Sequence, residues 1–229
     1  MKIYGLQKLT LLDYPGKTAC TLFTGGCNFR CPFCHNSNLV TGEFPEAIAE
    51  NELFAFLKKR AGILDGVCIT GGEPLLNPDI EEFIKKIHSL GYSVKLDTNG
   101  SNPGFLKKLL EEKTIDYVAM DIKNSKELYG KTAGIENFDV LPICESVELL
   151  KNSGVQYEFR TTIVKEFHDT ENIEKIGKWL KGAKKHFLQN FVDSEFNIMP
   201  GLHPVEENQL KSWQEILMRY IDFVEIRGI

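Results

Sequence analysis

The sequence predicts an α/β chain: a partial (β/α)6, TIM-like barrel with parallel strands, or a strongly curved open sheet. Two observations carry this. Short β-branched runs alternate with segments of helical spacing along most of the chain. Strict alternation of that kind implies parallel strands joined by right-handed crossovers. Residues suited to chemistry follow the strand runs, where parallel α/β folds gather their functional loops.

The elements follow in order. Residues 18–24 (TACTLFT) form a strand, and 50–61 a helix with Leu53, Phe54, Phe56 and Leu57 at helical spacing. Residues 66–70 (GVCIT) are a short buried strand, and Asn77-Pro78 introduces a helix over 79–90. A strand over 92–97 (YSVKLD) leads to a helix over 105–112, and a strand over 116–123 (DYVAMDIK) to a helix over 140–151 that Ser153-Gly154 ends. A strand over 155–164 (VQYEFRTTIV) precedes a helix over 170–180. Residues 186–192 read as a sixth strand, 205–220 as a final helix and 223–227 as a candidate last short strand. Residues 189–204 are the least regular stretch.

At 229 residues, with no linker or low-complexity tract, the chain is expected to be a single domain over 1–229. Hydrophobic residues make up 42% and charged residues 26%, a soluble globular profile. The N-terminus lacks an uninterrupted apolar core like that of a secretory signal, and no stretch reaches the roughly 18 apolar residues of a membrane span. A cytoplasmic location with reduced thiols is therefore expected. Net charge is −5, and the basic runs Lys58-Lys59-Arg60 and Lys184-Lys185 read as solvated helix faces, so no nucleic-acid partner is expected.

The six cysteines divide unevenly. Cys20, Cys68 and Cys144 lie alone in apolar surroundings and read as core packing. Cys27, Cys31 and Cys34 fall together in TGGCNFRCPFCHN, just after the first predicted strand. Gly71-Gly72-Glu73-Pro74 follows the second, Thr98-Asn99-Gly100 the third, and Asp121 and Lys123 end the fourth. The strand period places Lys95 with Asp97 on one face, Asp121 with Lys123, and Glu158 with Arg160 and Thr162. If those faces line a barrel, the buried charges need partners or a polar ligand. The alternative is a face open to solvent at a sheet edge.

Three clustered thiols narrow the chemistry. A structural zinc site needs four ligands, and His35 makes an awkward fourth. Cys31-Pro32-Phe33-Cys34-His35 fits the haem-attachment pattern CxxCH but leaves Cys27 unexplained. An iron–sulfur cluster suits soft thiolates better, and three ligands on a four-iron cube leave one iron open.

CxxxCxxC with an aromatic before the third cysteine, followed by GGEP, resembles the radical S-adenosylmethionine superfamily. Together, LDYPGK, TGGCNFRCPFCHN, GGEPLL, LDTNG and MDIK resemble its glycyl-radical-enzyme activases, above all those of anaerobic ribonucleoside-triphosphate reductase, with pyruvate formate-lyase activating enzymes as near relatives. The resemblance is good from about residue 3 to 165 and loose beyond.

The resemblance implies that Cys27, Cys31 and Cys34 bind three irons of a 4Fe–4S cluster and that S-adenosylmethionine chelates the fourth. It implies that Phe33 and His35 lie at the adenine, that Gly71, Gly72 and Glu73 receive the methionine amino group, and that Asp121 and Lys123 contact ribose and carboxylate. Asp97 and Thr98 match a polar pair near that carboxylate, beside which some relatives hold a monovalent cation. Arg160, on the charged face of the fifth strand, is placed with these contacts, and an ion pair with Glu158 is the alternative. Where pyruvate formate-lyase relatives carry a late histidine this chain has Ile198–Leu202; His203 is one place further on and receives no role.

The implied reaction is reductive cleavage of S-adenosylmethionine to a 5′-deoxyadenosyl radical that takes a hydrogen from a glycine of a partner glycyl radical enzyme. A one-electron donor such as flavodoxin or ferredoxin is also implied. Other readings are a pyruvate formate-lyase type activase and a small-molecule enzyme such as a 7-carboxy-7-deazaguanine synthase.

Overall fold

A computed structural model describes residues 1–42 and 44–228. One eight-stranded sheet organises them: β1 (Gly5–Thr10), β2 (Ala19–Thr24), β3 (Gly66–Gly71), β4 (Ser93–Thr98), β5 (Tyr117–Asp121), β6 (Gln156–Ile163), β7 (Lys185–Asn190) and β8 (Phe223–Arg227). The strands lie side by side in chain order. β1 is antiparallel to β2, and every later pair is parallel. Because β8 does not pair with β1, the curved sheet stays open.

Helices α1 (Glu50–Arg60), α2 (Ile80–His88), α3 (Pro103–Glu111), α4 (Tyr129–Ala133), α5 (Leu141–Asn152), α6 (Thr170–Trp179) and α7 (Glu207–Leu217) fill the connections. Local signals set several starts. Asn102 and Asp169 accept from the main-chain N–H groups of Phe105 and Asn172, capping α3 and α6. α3 and α5 carry proline in the first turn, where its missing N–H costs nothing. Among the described residues no helix is long and apolar enough to cross a membrane.

The parallel α/β expectation holds, and the candidate last strand forms as β8. Two elements were not foreseen. β1 is a mostly solvent-facing edge strand of sequence GLQKLT, without a regular apolar face to mark it. α4 is only five residues long, too short for periodicity to register.

The period of two sorts the strands into two buried faces. Leu22, Val67, Ile69, Val94, Leu96, Val118, Met120, Phe159 and Leu188 point outward into the core and are fully buried. Intervening residues, Thr21, Cys68, Lys95, Ala119 and Glu158 among them, point inward and are buried too. The inner face is therefore a polar lumen, not a second apolar core. That overturns the reading of Cys68 as core packing: its Sγ lies 3.8 Å from both Lys95 Nζ and Asp97 Oδ1. Cys20 does pack in the core, and Cys144 is half-buried on α5.

Candidate active site

Cys27, Cys31 and Cys34 stand in the loop that leaves β2. Backbone bonds pin that loop: Gly26 N–H to Leu39 O at 2.8 Å, Arg30 N–H to Ala133 O at 2.9 Å, and Met199 N–H to Pro32 O at 2.9 Å. The last draws part of the irregular stretch 189–204 against the cysteines. Cys31 is buried, and Cys27 and Cys34 are half-buried. Burial pushes all three thiols up, Cys31 to about 12 with Lys123 pulling the other way. A thiol of this kind stays protonated at neutral pH unless a metal supplies the compensating charge.

The turn after β3 meets this loop at van der Waals limits. A Cβ on Gly72 would sit 1.9 Å from Gly26 O, and one on Gly71, where φ is +111°, would sit 2.4 Å from Thr24 O. The glycines are thus required by the chain's own contact with the cysteine loop. Glu73 N–H donates to Gly26 O at 2.8 Å and closes the contact.

The Glu73 side chain is engaged within the protein. It is 1% exposed and does not line the cavity beside the cysteines. Its carboxylate accepts from Leu75 N at 3.0 Å, Thr98 Oγ1 at 2.8 Å and Asn99 N at 2.6 Å. It therefore ties the β3 loop to the β4 loop through three bonds and leaves Gly71 and Gly72 as the part of the turn that lines the cavity. Burial pushes the carboxyl up to about 7 against those three bonds. Since this exceeds the ordinary 4.5, the group's contribution to stability is complete below about pH 4.5 and is lost as pH rises through 7. Glu73→Gln should remove that component, about 3 kcal/mol at most, from the pH dependence of urea unfolding between pH 5 and 8. An unchanged slope in the variant would refute the assignment.

The inward charges form a chain. Lys95 pairs with Asp97 Oδ1, and Arg160 NH1 reaches Asp97 Oδ2 at 3.1 Å. Arg160 NH2 lies 3.1 Å from Asp121 Oδ1, and Lys123 Nζ 3.0 Å from Asp121 Oδ2. Burial alone would raise both carboxyls, yet the flanking cations outweigh it and hold Asp121 at about 2 and Asp97 below its usual value. Asp97 thus has a protein cation on each oxygen. Arg160 does not pair with Glu158, which bonds instead to Arg227 NH1 at 3.1 Å and Tyr117 OH at 2.8 Å.

These groups meet in a cavity of about 250 Å3. Cys27, Cys31, Cys34, Phe33, His35, Gly71, Gly72, Asp97, Thr98, Asp121, Lys123 and Arg160 all line it, so Glu73 alone of the expected residues is turned away. Phe33 is buried, with Lys123 Nζ 5.9 Å from its ring centre, and His35 stacks on Phe191 at 5.9 Å. Burial lowers the His35 pKa, with Lys123 adding to the effect. Asn99 and Thr162, noted in the sequence without an assigned role, face the cavity too; Phe29, Asn36, Val40, Thr70 and Gln189 also line it without having been singled out, although Gln189 obeys the inward strand period. His203 lies elsewhere, exposed and bonded to Glu166 Oε1 at 2.8 Å.

The arrangement fits an iron–sulfur cube and a zwitterionic cofactor. Three thiols face one cavity whose wall also carries both cationic and anionic side chains. Among the described residues no three His, Cys, Asp or Glu converge to hold a single metal ion. A cube does not ask for that, because it takes each cysteine on a separate iron.

Comparison with known proteins agrees. Residues 21–181 match the family described as the Radical SAM superfamily. A Methanocaldococcus jannaschii protein named as a glycyl-radical enzyme activating enzyme is 34% identical over 99% of this chain and 96% of its own. The pyruvate formate-lyase-activating enzyme of Clostridium pasteurianum is 28% identical over 80% of this chain and 77% of its own. Streptococcus suis SuiB shares the fold, with a TM-score of 0.71 at 15% identity over 91% of this chain and 48% of that one. The chain is a member of the radical S-adenosylmethionine superfamily and of its glycyl-radical-enzyme activating enzymes, which use a 4Fe–4S cluster and S-adenosylmethionine.

Proposed function

We propose that the chain activates an anaerobic ribonucleoside-triphosphate reductase by making a glycyl radical on it. The observation that carries the chemistry is the single cavity shared by three thiols and the chain Asp97–Arg160–Asp121–Lys123. The choice of partner rests on the sequence context LDYPGK, TGGCNFRCPFCHN, LDTNG and MDIK.

Cys27, Cys31 and Cys34 would each hold one iron of the cluster. When bound, cluster and S-adenosylmethionine supply the 5′-deoxyadenosyl radical after one-electron reduction. The protein's part is placement. Lys123 and Arg160 offer donors to a carboxylate, and Asp121 and Asp97 hold those cations in fixed positions. Gly71 and Gly72 present bare backbone to an ammonium group, and Phe33 and His35 offer ring faces to a purine. Walls built on strand ends keep these groups rigid, and the buried lumen keeps stray hydrogen donors away from a reactive carbon. All of this is read as one domain over 1–229, acting in the cytoplasm with flavodoxin or ferredoxin as electron source.

Mixing the reduced, cluster-loaded protein with S-adenosylmethionine and this reductase should give a glycyl-radical doublet by electron paramagnetic resonance. A doublet on pyruvate formate-lyase and none on the reductase would move the assignment to that partner. A signal on neither, with cleavage driven only by a metabolite, would favour a small-molecule reaction such as deazaguanine synthesis.

A further inference from the structure

Asn99 follows β4 on the cavity wall and is 6% exposed. Its main-chain N–H donates to Glu73 Oε2 at 2.6 Å, and its Oδ1 accepts from Ser101 N–H at 2.9 Å. A backbone N–H can only donate, so that bond fixes which end of the amide is oxygen. The NH2 end then carries two hydrogens. Asn28 Oδ1 takes one at 2.9 Å, and Cys27 Sγ lies 3.8 Å away for the other. Cys27 also accepts from Phe29 N–H at 3.4 Å. Among the described residues no side-chain donor reaches Cys31 or Cys34, so one cysteine of the three is singled out.

We propose that Asn99 is a positioning residue for the cluster, donating its side-chain amide to Cys27 Sγ and so raising the cluster's reduction potential. The inference rests on the reading of Cys27 as a ligand. Reduction adds one electron to the cube, and part of that charge falls on the ligand sulfurs. A donor aimed at one of them favours the reduced form, the more so where burial lowers the local dielectric. Asn99 is neutral, so its removal alters the hydrogen bond without altering the charge of the site.

The test is a dithionite titration of reconstituted protein followed by electron paramagnetic resonance, with iron and sulfide measured on each sample. Asn99→Ala should keep its iron and become harder to reduce. At a fixed poise its reduced-to-oxidised ratio should fall about tenfold, equivalent to about 59 mV for one electron. Asn28→Ala, which removes the neighbouring bond and leaves Cys27 its donor, should titrate like wild type. An unshifted Asn99→Ala, or an equal shift in Asn28→Ala, would overturn the proposal. If Asn99→Ala loads no iron, the similarly sized and neutral Asn99→Leu decides: a lower potential supports the proposal and an unchanged one refutes it. Loss of loading in both would make Asn99 a structural residue and end the tuning role. Failure of the wild-type protein to load about four irons would instead strike the reading of the cysteines.

Discussion

Alanine at any one of Cys27, Cys31 or Cys34 is expected to reduce iron and sulfide from about four each to near zero, and cofactor cleavage with them. The effect is total because each thiolate serves a different iron, so no remaining cysteine can take its place. Cys20 faces the core behind the sheet and Cys144 sits half-buried on α5, so neither can substitute. Cys68 is the sharper control. It faces the lumen beside Lys95 and Asp97, yet it is absent from the cavity wall that holds the other three. Cys68→Ala should therefore keep its cluster. Iron retained in Cys27→Ala and lost in Cys68→Ala would reverse the assignment.

Asp121→Ala is expected to weaken S-adenosylmethionine binding about 10- to 150-fold, the value of roughly 1.5–3 kcal/mol for a lost charged hydrogen bond. The structure gives a reason for the upper half of that range. Among the described residues Asp121 is the only carboxylate in contact with Lys123, while Arg160 keeps Asp97 after the change. The substitution therefore leaves one lumen cation unpaired, which also destabilises the fold; breaking a buried pair costs about 3–5 kcal/mol. Asp121 is partly open to the cavity, so the lower end applies to stability. Asp121→Asn should recover packing and part of the binding. Calorimetry that finds wild-type affinity in both variants would place the charged face outside the cofactor site.

Much of this was legible in the sequence because β2 to β7 bury an apolar outer face whose runs stand out against the helices between them. β1 was not, because an edge strand has no second neighbour to demand apolar residues. The cysteine loop was legible from spacing alone. Partners were not: Arg160 meets Asp97 across 63 positions and Asp121 across 39, because Asp121 is its register partner on β5 and Asp97 lies on β4, one strand further along the same inner face. Proximity along β6 suggested Glu158, which β8, two strands away, claims through Arg227. The motif placed Glu73 in the turn that receives the methionine amino group, but did not show that its carboxylate accepts from three local donors. Asn99 was visible within LDTNG, but nothing in the sequence shows that its amide turns back toward Cys27.

The central claim is that the hydrogen comes from a protein backbone. The most direct measurement uses a partner reductase deuterated at the Cα of its radical-bearing glycine, mixed with reduced activase and S-adenosylmethionine without oxygen. The 5′-deoxyadenosine recovered should carry one deuterium as the glycyl-radical signal grows. Unlabelled 5′-deoxyadenosine alongside a competent reductant, an intact cluster and an unchanged partner would contradict the account.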